Sequence, residues 1–446
     1  MALRLPPLED SRPLRYATVF HLYVMQGIPA GFALTAVANR LAAHGVTPPA
    51  IGRFVALVGL PWTLQFVWGP LIDRFQGSPM GRRKPWVFFA QLCALGASLG
   101  LLLVGDPARD LALLTAAFVC HSVFASVQDA SVDAMAITVT RPEERPRTNA
   151  FMRGGMLVGQ GIGAAGFATI MRQAGFRGAA LTLSFVLLAF TVLTFLVRER
   201  AGDGFFPWSR PRSSDGAPAA DAGRTAPADE PSLRDIFATL VRGLLDAESL
   251  RLFGAVLAVY FAASVFIRTL STHLVQRLHW DDTSLSVLIG TSGMAAALGA
   301  ILAAGAVSGR LGPRRLLLTT MLVIGGYLVA FSALGPYWPH VPLTRGALAV
   351  WYTFDPTYSV AAMPALMALC RRGVEGSQFT TYMALVNLSD VAGSYVSGYA
   401  LTVLPAPAIG LACGALVLGA AAAVQRSAFG RPAPAPPPGV LVGQIG

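Results

Sequence analysis

Charge is what this chain has little of. Asp, Glu, Lys and Arg make up 13% of its 446 residues, about half the share of an ordinary soluble domain. So few charges cannot clothe a globule of this size, which excludes a water-soluble fold. Lysine is nearly missing: Lys84 stands alone against 33 arginines. Cysteine is also scarce. Cys93, Cys120, Cys370 and Cys413 lie in or at the ends of apolar runs, and their spacing fits no zinc, redox or disulfide framework. They read as small packing residues. No HExxH, Gly-x-Ser-x-Gly or Cys/His cluster occurs. An enzyme therefore has no catalytic constellation to stand on, and no cofactor or metal is expected.

Apolar residues are abundant, at 54%, with 46 Gly and 31 Pro. That excludes disorder and fits membrane helices, where Gly and Pro are more frequent. A span needs about 20 mostly apolar residues. Twelve runs qualify, near 16–41, 48–72, 86–105, 110–138, 149–170, 178–197, 250–275, 283–308, 315–334, 343–369, 378–402 and 406–425. They are continuous rather than alternating, which excludes a closed barrel. The first run is too long for a signal-peptide core and reads as an uncleaved span.

The basic residues set the sidedness. With the N-terminus taken as cytoplasmic, the cytoplasmic segments carry 25 Lys and Arg, the opposite loops seven, and the spans two. The positive-inside rule then places both termini in the cytoplasm. The net charge of +11 is accounted for by topology, so no nucleic-acid partner is expected.

The chain divides into a six-helix bundle over 1–200, a linker over 201–248, a second six-helix bundle over 249–426 and a disordered Pro-rich tail over 427–446. Within the linker, Leu233, Ile236, Phe237, Leu240 and Leu244 share one face of a predicted amphipathic helix, 232–245. The two halves look duplicated. The loop after span 2 reads Gly69-Pro-Leu-Ile-Asp73-Arg74 and then, after an insertion, Gly81-Arg82-Arg83-Lys84. The loop after span 8 reads Gly305-Ala-Val-Ser-Gly309-Arg310-Leu-Gly312-Pro-Arg314-Arg315. Glu144 precedes Met152 by the same eight residues that separate Glu375 from Met383.

This 6+6 pattern with duplicated loops resembles the major facilitator superfamily, whose loop signature is Gly-x-x-x-Asp-Arg-x-Gly-Arg-Arg. The resemblance implies an all-α polytopic membrane protein with 12 transmembrane helices in two pseudo-symmetric six-helix bundles. It also implies a conformational latch of Gly69, Asp73, Arg74, Gly81, Arg82, Arg83 and Arg310, with Asp73 pairing basic groups of the loop. Three further stretches narrow the likeness: Gly27-Ile-Pro-Ala-Gly31, Gly59-Leu-Pro-Trp62 through Trp68-Gly-Pro-Leu-Ile-Asp73-Arg74, and Gln128-Asp129-Ala-Ser-Val-Asp133-Ala134 followed by Glu143-Glu144-Arg145. They resemble the AmpG-type muropeptide permease and acetyl-CoA transporter group, which includes siderophore importers. The group's usual membrane lysine is Gln65 here. Span 7 carries Arg268 and His273 instead of a Lys-x-x-Asp element.

Ionisable groups inside a membrane are costly, so each is a functional candidate. Asp129 and Asp133 share one face of span 4 at i, i+4; with Asp390 of span 11 they are the candidates for proton coupling. For Asp133 a structural role beside Arg74, Arg82 and Arg83 of the basic loop is the favoured reading. Arg153 and Arg268 need an acid, carbonyls or an anionic solute as partner; for Arg153 a pair with Asp129 or Asp133 is expected. Asp355 sits among Trp351, Tyr352, Phe354 and Tyr358 and precedes Pro356, which breaks the helix locally. Arg268, Trp351, Tyr352, Asp355, Tyr358, Gln65 and Arg153 are the substrate-binding candidates, with an aromatic packing cluster as the competing reading of the span 10 group. His21 and His273 read as interfacial hydrogen-bonding groups and His121 as a weaker relay.

These readings converge on a secondary active, proton-coupled transporter that imports an amphipathic, anionic solute such as a muropeptide. Its partners are the solute, protons and the lipid bilayer. It is expected to be a monomer in the inner membrane, with spans 1, 4, 7 and 10 lining the cavity. A siderophore, acyl-CoA or pterin/folate transporter of the same fold stays open as the alternative. An efflux transporter, a membrane-embedded enzyme and a receptor rank below these.

Overall fold

The computed structural model describes residues 6–75, 77–208, 247–370 and 375–426. The amphipathic helix expected over 232–245, most of the linker and the tail over 427–446 lie outside the described residues. Among those described, structure is helical apart from one isolated bridge between Ser78 and Gly81.

The helices follow the apolar runs. The first, α1, spans Arg12–Ala43; Ser11 caps it by accepting from the Leu14 N–H at 3.4 Å. Helix α2 runs from Pro48–Gly59 through a 3₁₀ turn, Leu60–Leu64, to Gln65–Arg74. The 3₁₀ turn holds Pro61, which has no N–H to continue the ladder. Helix α3 is Lys84–Leu103 and α4 is Leu111–Val139. Helices α5 (145–174) and α6 (176–196) meet at Gly175, whose φ of 70° and ψ of 177° fold one continuous apolar stretch into two spans. The second half holds α7 (Ala247–Gln276), α8 (Asp282–Leu311), α9 (Pro313–Ala333), α10 (Val341–Trp351 and Phe354–Ala368), α11 (Glu375–Val403) and α12 (Ala406–Arg426).

By length and composition alone, nine described helices are apolar enough to cross a membrane, one of them the joined pair Arg147–Leu196. Separating that pair at Gly175 gives ten. The broken α10 and the hydroxyl-rich α11 complete twelve. Large apolar side chains point outward, with Leu103 74%, Phe185 68%, Leu302 77% and Val403 80% exposed. Such a surface suits hydrocarbon rather than water.

Two bundles result. In the first, α1 packs on α5, and α3 packs on α4 and α6; in the second, α7 packs on α11 and α12, and α10 on α8 and α9. They meet where α2 packs on α11, where α5 packs on α8, and where the end of α1 packs on α7 and α8. The basic loops gather on one end, called here the basic face.

Three π-helical turns mark the seam between bundles: Phe32–Val37 in α1, Ile162–Gly166 in α5 and Ile289–Gly293 in α8. The α5 turn touches the other two. Close approach there needs glycine. A Cβ on Gly161 would stand 2.6 Å from the Gly290 carbonyl oxygen, and one on Gly290 would stand 2.5 Å from the Gly161 carbonyl oxygen. Wide turns of this kind displace backbone carbonyls from the regular ladder and are frequent at functional sites.

Candidate transport site

A cavity of about 280 Å³ lies between the bundles. Helices α1, α5, α7, α8, α9, α10 and α11 all contribute to its wall. Helix α4 does not, which corrects the expectation that it would line the cavity; α5 and α8 close that part of the wall through their π turns. The cavity gathers Arg268, Tyr352, Asp355 and Asp390 from α7, α10 and α11, joined by Tyr260. Asp355 and Asp390 are exposed to it, whereas Arg268, Tyr352 and Tyr260 are half-buried.

The break in α10 falls at Tyr352 and Thr353, ahead of Pro356. The proline ring clashes with the carbonyl four residues earlier, so the ladder opens one turn before it. This break presents Tyr352 and Asp355 to the cavity. It also turns Trp351 inward, where it packs on Phe266 with ring centroids 4.8 Å apart, leaving it 7% exposed. Tyr358 is 1% exposed and packs edge-on to Tyr260 at 5.4 Å. These two aromatics are chiefly packing residues at the cavity edge. Tyr260 shares a 3.1 Å hydrogen bond with Ser359.

Arg268 is the cation at the far end of the cavity from the basic face. Its Nη1 donates to the Leu34 carbonyl at 2.6 Å, a carbonyl within the α1 π turn. Its Nε is buried with no partner.

Asp129 and Asp133 form a second cluster, apart from the cavity wall. The Gln65 amide donates to Asp129, and the Tyr23 hydroxyl donates to Asp133. Gln65 therefore serves the carboxylate pair and is not among the cavity-lining residues. Arg153 is exposed and makes no ion pair in this structure, contrary to the pairing expected; its charge nevertheless acts on Asp129, Asp133 and Asp355. It thus lies between the two acidic groups.

Part of the loop motif is described. The Asp73 and Arg310 side chains lie outside the described residues. Glu199, just past α6, accepts from the backbone N–H groups of Arg82 and Arg83 at 2.9 and 2.8 Å, and from that of Lys84. Gly81 turns the loop with φ 120° and leaves room for this carboxylate; a Cβ there would stand 3.0 Å from Glu199. Burial pushes the Glu199 carboxyl above its usual range, against the pull of the three N–H donors. The Lys84 ammonium donates to the Phe195 carbonyl at 2.8 Å and lies over the Phe205 ring. Arg74 lies over Phe75. Gly69 in α2 has open space around it.

A second carboxylate ties the N-terminal segment to the loop after α4. Glu144 accepts from Arg15 at 2.8 Å and from Arg12 at 2.7 Å. The Arg15 hydrogen bond holds its carboxyl below the usual glutamate range.

The opposite face is sealed. Gln276 of α7 donates to the Ala42 and Val46 carbonyls, Asn39 donates to Ser286 at 2.9 Å, and Arg40 faces Asp282 at 3.6 Å. Helices α2 and α11 cross so tightly that a Cβ on Gly398 would stand 2.3 Å from the Pro48 carbonyl oxygen.

The three histidines singled out in the spans each have a packing or hydrogen-bonding partner. His121 is buried on Ser98 and the Ala94 carbonyl, His21 meets Thr194 at 3.4 Å, and His273 packs on Trp338. Among the described residues no group of His, Cys, Asp and Glu is placed to hold a metal.

A two-bundle, multi-pass helical membrane protein with a largely apolar cavity at its seam, carrying Arg268, Asp355 and Asp390, has an architecture that suits a transporter. Residues 19–240 match the Major Facilitator Superfamily. The anhydromuropeptide permeases of Escherichia coli strains K12 and O157:H7 are each 25% identical over 404 residues, covering 86% of this chain and 75% of theirs. A putative transporter, AmpG 3 of Rickettsia prowazekii, is 26% identical over 150 residues, 32% of this chain and 35% of its own. The chain belongs to the major facilitator superfamily, resembles its AmpG-type permeases, and is a transporter rather than an enzyme.

Proposed function

We propose that this transporter imports an amphipathic, anionic solute of the muropeptide class across the inner membrane, driven by protons, as a monomer with both termini in the cytoplasm. The observation that carries the reading is Arg268: a guanidinium with an unpaired Nε at the closed end of a cavity also lined by Tyr260 and Tyr352. A planar cation suits a carboxylate, and the ring faces suit a sugar or acyl group. The cavity is at the small end of ligand pockets, roughly 300–1,000 Å³, so a larger solute extends toward the basic face. Asp129, with one oxygen taken by Gln65, carries the coupled proton. Asp133 and Arg153 set its electrostatic surroundings, and Asp390 is the second candidate for coupling.

The test is a thermal-shift screen of the purified protein against an anhydromuropeptide, a siderophore, an acyl-CoA and a pterin. A ligand that binds the folded state raises its stability by mass action. The anhydromuropeptide is expected to raise the unfolding temperature, and Arg268→Gln to abolish the rise. Stabilisation by one of the other three alone overturns the substrate class.

A further inference from the structure

Arg268 stands at a boundary. With Leu34, Thr35, Ile267, Ile289 and Tyr352 it lines both the central cavity and a small closed void of about 30 Å³ on the side away from the basic face. That void reaches Asn39, Pro48, Ser397 and Gly398, residues of the sealed face. These six residues are thus the partition between the solute cavity and the closed passage.

The partition is pinned by one bond between bundles. Arg268 belongs to α7 of the second bundle, and the Leu34 carbonyl that it holds at 2.6 Å belongs to α1 of the first. Leu34 lies within the π turn Phe32–Val37, whose wide winding leaves its carbonyl available to an outside donor. The guanidinium has five N–H donors, and its Nε is buried without a partner. It is therefore incompletely satisfied while the passage is closed.

We infer that Arg268 passes between the solute's anionic group and the Leu34 carbonyl, so that closing the passage takes the counter-ion from the solute. This rests on the reading of Arg268 as the anion contact. A carboxylate competes well for an arginine, because its two oxygens carry the opposite charge and can accept from the guanidinium fork in parallel, whereas the Leu34 carbonyl takes one N–H. Solute bound to Arg268 therefore favours the state in which the bond between bundles is broken. By linkage, closing the passage lowers solute affinity by the same factor. Solute taken up from the opposite face is then released toward the basic face once the passage closes.

The test uses the full-length protein in right-side-out vesicles, with the four native cysteines replaced by alanine and a reporter Ser397→Cys in the closed void. A membrane-impermeant maleimide is applied from the opposite face. Without solute, Arg268→Gln is expected to raise the labelling rate by about five-fold or more, the lower end of typical coupling. Arg268→Lys, which keeps the charge but loses the fork, falls between the two. In protein that retains Arg268, an anhydromuropeptide raises the rate; in Arg268→Gln it has no effect. An unchanged rate in Arg268→Gln and Arg268→Lys overturns the gate, even if the thermal-shift screen upholds the anion contact. Faster labelling of Arg268→Gln with no anhydromuropeptide effect on the Arg268 protein keeps the bond between bundles as a pin on the passage but overturns the exchange. If Arg268→Gln does not fold, Arg268→Lys and the solute response of the Arg268 protein decide the matter.

Discussion

Glu199 gives a sharp separation between a charge and an acceptor. It is 2% exposed and accepts from three successive backbone N–H groups at the start of α3. Arg83 and Lys84 are buried, whereas Arg82 is exposed and its N–H can turn to water. Glu199→Ala therefore strands two buried donors. Each costs about 1–3 kcal/mol, which gives about 2–6 kcal/mol together. At about 2–4 °C per kcal/mol for a bundle of this size, the unfolding temperature falls by about 4 °C or more. Glu199→Gln keeps a carbonyl acceptor and removes a carboxylate whose ionised form burial disfavours; its expected change is within about 1 kcal/mol. The sign with pH follows. A carboxyl raised above its unfolded value loses stability as pH rises from the unfolded value through the folded one. The parent protein should therefore lose some stability from acid toward neutral pH, and Glu199→Gln should not share that loss. Thermal unfolding in detergent, followed by tryptophan fluorescence, reads all three proteins. An Ala variant within 1 °C of the parent, or a Gln variant that falls as far as Ala, would refute the reasoning.

Three further outcomes follow. Glu144→Gln should unfold at a lower temperature than the parent at pH 7. The Glu144 carboxyl lies below its usual range, so its contribution is full above the unfolded value of about 4.3 and is lost as pH falls below it; a pH series of melts should show the gap closing only in acid. Gly398→Val should separate α2 from α11, since even a Cβ would stand 2.3 Å from the Pro48 carbonyl oxygen. Maleimide labelling of a Thr272→Cys reporter from the opposite face should then rise, and equal labelling would contradict the crossing as a seal. Asn39→Ala removes one contact of the same face and should shift labelling in the same direction by less, because one neutral hydrogen bond is worth about 1 kcal/mol.

The helices were legible because an apolar run of span length leaves the backbone one way to satisfy itself in a bilayer. Each of the twelve predicted runs coincides with a helix to within a few residues. Four members of the candidate site were legible for a related reason: a charge, or a tyrosine beside one, in such a run, as at Arg268, Tyr352, Asp355 and Asp390, is conspicuous. What periodicity cannot carry is pairing across distance. Glu199 holds a loop 117 residues away, and Tyr23 reaches Asp133 across 110. The π turns were hidden too, because Gly-rich segments such as 161–166 read equally well as a close helix crossing. Trp351 and Tyr352 are neighbours of similar chemistry, and the backbone break at 352–353 decides which is the more buried of the two at the cavity wall.

The decisive measurement is uptake of labelled anhydromuropeptide by proteoliposomes under an imposed proton gradient, acid outside, comparing the parent with Asp129→Asn. The proposed coupling predicts uptake that collapses when the gradient is dissipated. It also predicts an Asp129→Asn protein that exchanges solute across the membrane but no longer accumulates it. Gradient-driven accumulation by Asp129→Asn equal to the parent would contradict it.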